Sequence, residues 1–144
     1  METQNYANHR RFVPMFHGVL FGLIALTLIG SFVNLYYSIG DDQRLYSASL
    51  IVVMVICLLM VFFFCRLFSL KAQDRAIRAE ENLRHYVLTG KLHDPRLTVR
   101  QIIGLRFALD EEFIPLAQKA AEENLSEDEI KKAIKGWRAD TCRV

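Results

Sequence analysis

The length, composition and charge of the chain restrict its class before any motif is considered. Its 144 residues suffice for one domain, or for a membrane unit with a small appendage. Its formal charge of +2 lacks the basic excess of a nucleic-acid-binding surface, so the sequence argues against nucleic acid as a partner. The hydrophobic content of 52% is an average over two unlike halves, because the long apolar runs precede Arg66 and most of the charge follows it.

Two uncharged apolar runs predict a transmembrane hairpin that contacts the lipid bilayer. Residues 15–38 and 45–65 contain no Asp, Glu, Lys or Arg, and each run is near or above the ~20 residues that cross the hydrocarbon core. We therefore predict a first transmembrane helix at 15–38, a loop at 39–44 and a second transmembrane helix at 45–68. A soluble hairpin would need other apolar surfaces to cover both helices, and the remaining chain is too short to provide them.

The distribution of Lys and Arg predicts the orientation of this hairpin. Two arginines precede the first span and four bases follow the second within 66–78, whereas the loop carries Arg44 beside two aspartates. Because cytoplasmic flanks are enriched in Lys and Arg, the segment 1–14 and the tail 69–144 are expected to be cytoplasmic and the loop periplasmic. The three cysteines show no pairing pattern, which agrees with tail exposure to a reducing compartment.

Small and polar residues of the first span are candidates for helix packing. Gly18, Gly22 and Ala25 form a small-xxx-small stripe, and Asn34 is placed to hydrogen-bond across helices near the outer end. The favoured partner of the stripe is the second span of the same chain, and the alternative is a neighbouring protein. The absence of Asp, Glu, Lys and Arg from both apolar runs argues against a channel or transporter that acts alone. A homo-oligomeric pore remains an alternative.

The second span is predicted to continue as one helix from Arg66 to about Thr89, because no Pro or Gly interrupts it before Gly90, a natural C-cap. A narrow apolar seam with coiled-coil spacing follows this helix, and we expect it to pack on the distal helices or on a partner. The seam consists of Ala72, Ala76, Ala79, Leu83 and Tyr86.

The rest of the tail predicts three short, capped helices. Capping boxes begin at Thr98 and at Ser126, and Asp110 is placed to cap the helix between them. The last helix is expected to present apolar residues as far as Trp137. The fold class is therefore all-α: a two-helix transmembrane hairpin, whose second span continues into a cytoplasmic helix, followed by a small bundle of three short helices.

The tail also contains candidate residues for docking a partner. Acidic residues dominate 110–129 and basic residues dominate 131–143, a pattern that suits either solvated helix ends or a docking surface. The polar, aromatic N-terminal segment is expected to pack on the tail near Tyr86 or Trp137. The candidate docking residues are Tyr6, His9, Tyr86, Trp137, Lys131, Lys135 and Arg138.

No motif predicts catalysis, a cofactor or a metal site. The histidines share no i,i+4 ligand spacing, the carboxylates at 110–112 point apart on a helix, and no Walker loop, G-x-S-x-G or G-x-G-x-x-G occurs. We therefore expect a protein that is not an enzyme and binds no cofactor.

Three stretches of the chain resemble a family of small bacterial proteins classed as a domain of unknown function, mostly from Bacteroidetes-type bacteria. They are Gln4–Asn5–Tyr6 with 8–12, the segment 80–97, and the segment 125–140 with Glu129–Ile130–Lys131–Lys132 at its centre. The resemblance covers nearly the whole chain and implies a two-span inner-membrane protein with this same tail, without implying an activity.

These patterns predict a non-enzymatic accessory, scaffold or assembly subunit of the bacterial inner membrane. Its tail is expected to bind a protein partner or another copy of the chain. One alternative is a membrane-tethered regulator whose tail binds nucleic acid or a small ligand. The other alternative is the homo-oligomeric pore.

Overall fold

The computed structural model describes residues 4–8 and 12–139, and the chain divides into two compact units. One unit comprises residues 12–68, and the other comprises 69–139 together with 4–8. The described chain is helical apart from turns and one isolated bridge, which confirms the all-α class. The elements are a π-helical turn Met15–Leu20, then α1 (Phe21–Tyr37), α2 (Asp42–Thr89), α3 (Val99–Leu105), α4 (Asp110–Glu123) and α5 (Glu127–Ala133).

The unit 12–68 contains α1 and the first part of α2, two helices long and apolar enough to cross a membrane. The turn between them is shorter than the predicted loop, because Asp41 accepts a hydrogen bond from the amide of Arg44 and α2 begins at Asp42. The helices meet where the ring of Phe16 stacks on that of Phe62, 4.3 Å between centroids. The side chains buried in this unit are Ser31, Ser38, Ala48, Val52, Val55 and Phe62.

Helix α2 continues without a break to Thr89, as the sequence predicts, and Gly90 ends it with a φ of +73°. The amide of Gly90 donates to the carbonyl of Tyr86 over 2.7 Å. A glycine is favoured here because it adopts the left-handed conformation without a Cβ clash.

The tail unit has its own apolar core, built mainly from α3, α4 and α5 and the turns between them. The capping boxes at Thr98 and Ser126 are both present, so two of the three helix starts are set by the predicted local bonds. The buried cluster comprises Leu97, Ile102, Leu105, Phe107, Ala108, Phe113, Leu116, Ala117, Ala120, Ile130 and Ile134.

Asp110 does not cap α4, contrary to the prediction. The N-cap residue is Leu109, which makes no side-chain cap bond. Asp110 lies in the first turn, and its carboxylate instead accepts a hydrogen bond from Arg84. The tertiary ion pair therefore replaces the local cap.

The predicted extension of the last helix to Trp137 is also wrong, because α5 ends at Ala133 and Ile134 is extended. The amides of Lys135 and Gly136 donate to the carboxylate of Glu112 over 3.0 and 3.2 Å. These bonds replace the helical bonds that the two amides would otherwise make. Trp137 then forms an antiparallel bridge with Ala108.

Gly104 allows α3 to lie close to α5. A Cβ built on Gly104 would lie 3.1 Å from the carbonyl oxygen of Glu127 and 3.2 Å from Cγ2 of Ile130. Both atoms belong to the packed tail, and the Glu127 oxygen is a backbone atom that cannot shift as easily as a side chain.

We therefore expect Gly104→Ala to lower the free energy of unfolding of the tail by about 1–3 kcal/mol, as overpacking of a close contact does. Chemical unfolding of the full chain in detergent, followed by Trp137 fluorescence, measures this change, since Trp137 is the only tryptophan. Gly18→Ala is the control, because a Cβ at Gly18 meets no atom within 4 Å. Equal stability of Gly104→Ala and the wild type would contradict the close packing.

Candidate functional site

Arg84 lies at the centre of a buried polar cluster on the last turns of α2. Its guanidinium donates from Nη1 to Oε2 of Glu81 over 3.1 Å, from Nη2 to the carbonyl of Ala108 over 2.7 Å, and from Nε to Oδ1 of Asp110 over 2.7 Å. The guanidinium carbon also lies 4.2 Å from the ring centroid of Phe113. Burial raises the pKa of Glu81, although its bond to Arg84 acts in the opposite direction. The cluster joins α2 to the start of α4.

Two histidines lie beside this cluster. The rings of His85 and His93 are 4.4 Å apart, and both rings contact that of Phe113. Nδ1 of His85 lies 2.7 Å from the carbonyl oxygen of Lys91. His93 is 8% exposed, and within the described part of the chain neither of its ring nitrogens has a partner with hydrogen-bond geometry. Burial, and to a smaller extent the neighbouring His85, lowers the pKa of His93 to about 4, so its ring is neutral at pH 7.

The two histidines line a cleft of about 590 Å³ between the segment after α2 and the side of α4. A volume of this size is in the range of sites for small molecules. The cleft is lined by both charged and apolar groups. Its Arg96 guanidinium forms an ion pair with Asp94, in which Nη2 lies 2.7 Å from Oδ2. This bond lowers the pKa of Asp94 to about 2. Among the described residues, no group of three or more His, Cys, Asp or Glu side chains is arranged to hold a metal ion.

The predicted seam on α2 is exposed and does not pack on the distal helices. Its largest members, Leu83 and Tyr86, are 64% and 54% exposed, and its three alanines are also exposed. The buried face of α2 instead carries Ile77 and Glu81. Of the two partners expected for the seam, the distal helices are therefore excluded, and a separate partner remains.

The structure does not gather the candidate docking residues into one surface. Tyr86 belongs to the exposed seam, whereas Trp137 packs on Phe107 with 5.1 Å between ring centroids. Lys131 is buried and its ammonium lies 2.6 Å from Oε1 of Glu127. The remaining basic candidates, Lys135 and Arg138, are exposed on the segment after α5.

The N-terminal segment contacts the tail through Tyr6. The hydroxyl of Tyr6 donates to Oδ2 of Asp128 over 2.8 Å, and the ammonium of Lys132 lies 5.5 Å from the Tyr6 ring centroid. Tyr6 therefore lies on α5, and packing of the segment near Tyr86 or Trp137 stays a prediction. His9 lies outside the described residues.

The small residues of α1 and its N-terminal turn do not contact the second span closely. A Cβ on Gly18 or Gly22 would meet no atom within 4 Å, and Ala25 is half-buried. Asn34 is exposed and lies about 120° around the helix from Gly22, so it belongs to a different face. The favoured role of the stripe, close contact within the hairpin, is therefore not observed.

Sequence patterns did not indicate the cluster around Arg84 or the burial of His93. Arg84 and Asp110 are 26 residues apart, and neither residue belongs to a recognisable sequence motif. Gln101 is the second residue of the capping box that begins at Thr98. Its side-chain amide also donates to the carbonyl of Leu125 over 2.9 Å, and so ties α3 to the turn before α5.

Two long apolar helices and a compact helical tail define the class of this protein. The chain belongs to a family of unknown function, DUF6526, whose model matches residues 1–144. This confirms the expected resemblance to a family without an assigned activity. No curated protein and no solved structure matches the chain.

Removal of Arg84 should destabilise the tail. In Arg84→Met, Glu81 and the carbonyl of Ala108 lose a buried hydrogen-bond donor. We therefore expect the free energy of unfolding to fall by about 3 kcal/mol, as it does when other buried ion pairs are broken. Trp137 fluorescence during chemical unfolding measures this loss. The control is Arg78→Met on the exposed side of the same helix, which should change stability by less than about 0.5 kcal/mol. A similar loss in both variants would contradict the role of the cluster.

The stability of the tail should fall as the pH falls from 6.5 to about 4, because His93 is neutral in the folded state over this range. The unfolded chain binds a proton there and the folded chain does not. The loss is at most about 3 kcal/mol, and His93 adds no further loss below pH 4. Glu81 acts in the opposite sense, since its pKa is raised in the folded state. Thermal unfolding of the wild type and of His93→Phe at several pH values separates the contribution of His93 from that of Glu81. An equal change of stability with pH in the variant and the wild type would contradict the prediction.

Proposed function

We propose that this chain is an integral protein of the bacterial inner membrane, and that it acts by binding a protein partner through its cytoplasmic tail. In this role it is an accessory, scaffold or assembly subunit, and it is not an enzyme. The observation that carries the proposal is the exposed apolar surface of the two long helices in the unit 12–68.

The exposure of the hairpin supports insertion into a bilayer. Within the most apolar windows of the two long helices, only 6% and 22% of the residues are buried, whereas the core helices of a soluble protein are mostly buried. Leu26 and Ile29 on α1, for example, are 69% and 62% exposed. An uncovered apolar surface of this extent requires lipid or another protein, and 17–25 apolar residues are the length that lipid requires.

The charges that flank the two helices support the orientation. The turn between them contains the ion pair between Arg44 and Asp41, whose charges compensate each other. The bases of 66–78 follow the second apolar run and have no such concentration of acids beside them. With the positive-inside rule, this distribution supports a cytoplasmic tail, and the resemblance to small bacterial inner-membrane proteins agrees with it.

The build of the tail supports a binding role. It has an apolar core of its own, and the seam on α2 is exposed. Binding of nucleic acid or a small ligand by the tail, and assembly of a homo-oligomeric pore, stay predictions. The cleft beside His93 is the place where a small ligand would bind.

Site-directed labelling tests the topology. In a full-length chain with its three cysteines changed to Ser, Gln43→Cys should react with a membrane-impermeant maleimide in intact spheroplasts. Lys91→Cys should react only after permeabilisation, because it lies in the tail. Both positions are exposed, which makes them a matched pair. The reverse pattern, or recovery of the protein in the soluble fraction, would contradict the proposal.

A further inference from the structure

We infer that the partner of the exposed seam is a second copy of this chain, which pairs with it as a parallel two-helix coiled coil. The seam is defined by Ala72, Ala76, Ala79, Leu83 and Tyr86, all on the part of α2 that belongs to the tail unit. The inference deepens the proposed function, on which it rests for the common orientation of the two copies.

The seam has the spacing of a coiled-coil interface. Its members alternate between steps of four and three residues, so that Ala76 and Leu83 occupy a positions and Ala72, Ala79 and Tyr86 occupy d positions of a heptad. Alanines in such a seam allow two helices to approach closely. Tyr86 and Leu83, at the end of the seam, supply the larger apolar surface.

The opposite side of the same helix is already occupied. Glu81 and Ile77 are buried, and Arg84 bonds to the start of α4. Ala79 and Glu81 lie about 160° apart around an α-helix. A second helix can therefore contact the seam without meeting the packed bundle of its own copy.

The charges beside the seam select a second copy in parallel orientation. With Ala76 at a, Arg75 occupies a g position and Glu80 the e position of the next heptad. In a parallel dimer, g of one helix lies beside this e of the other, so each Arg75 meets a Glu80 of the partner copy, twice by symmetry. Antiparallel pairing brings g beside g and e beside e, so Arg75 and Glu80 would not meet and the contact would be lost. Both side chains are exposed, and neither makes an ion pair with another described residue.

Membrane insertion strengthens this pairing. All copies in one membrane have the same orientation, so their α2 helices are parallel before they meet. Confinement to a membrane also raises the local concentration of the helices, which compensates for a seam of only two heptads.

Disulfide cross-linking in the native membrane tests the contact. In the full-length chain with Cys57, Cys65 and Cys142 changed to Ser, oxidation should cross-link Ala79→Cys to a dimer of twice 16.7 kDa, because d positions of parallel helices face each other. Arg78→Cys, one residue away at an outward c position, is the matched control and should cross-link severalfold less. Equal cross-linking at both positions, absence of a dimer, or a cross-link to a different protein overturns the inference.

Charge exchange tests the register. In the Ala79→Cys background, Arg75→Glu or Glu80→Arg alone should reduce the dimer severalfold, and the two together should restore it. Failure of the double variant to recover overturns the parallel arrangement. The membrane and soluble fractions are assayed separately. Recovery of the protein in the soluble fraction contradicts the proposed function. The cross-linking pattern decides separately whether the dimer forms.

Discussion

The position of Arg84 determines how the tail is arranged around the end of α2. Its guanidinium bonds to Glu81, to the carbonyl of Ala108 and to the carboxylate of Asp110, and it rests on the ring of Phe113. A guanidinium leaves water at little net cost only where several acceptors replace its hydration. Because these acceptors lie on α2 itself, in the turn before α4 and on α4, the cation holds the three segments together.

This arrangement gives the end of α2 two different faces. The side with Ile77 and Glu81 is buried, and the side with Leu83 and Tyr86 is exposed. An exposed apolar stripe opposite a buried face is typical of a helix that also binds another protein. The proposed coiled coil uses this stripe, and it leaves the tail core unchanged.

Local patterns predicted the elements of the tail well because their physics is local. A capping box such as that of Thr98 acts within four residues, and Gly90 ends α2 because no other residue adopts its φ as easily. Predictions failed where a distant group competed with a local bond. Asp110 pairs with Arg84 and does not cap its helix, and Trp137 is extended because the carboxylate of Glu112 binds the preceding amides.

The sequence by itself determined that the chain has two long apolar helices, that the second continues to Thr89, and that three short helices follow. Run length, glycine and capping residues suffice for this, because each acts within one or two helical turns. Only the tertiary structure decided which face of α2 is exposed, where Tyr6 lies, and that His93 is buried beside a cleft. These features depend on contacts between residues as far apart as Tyr6 and Asp128, 122 positions in the chain, and no periodicity or spacing encodes such a contact.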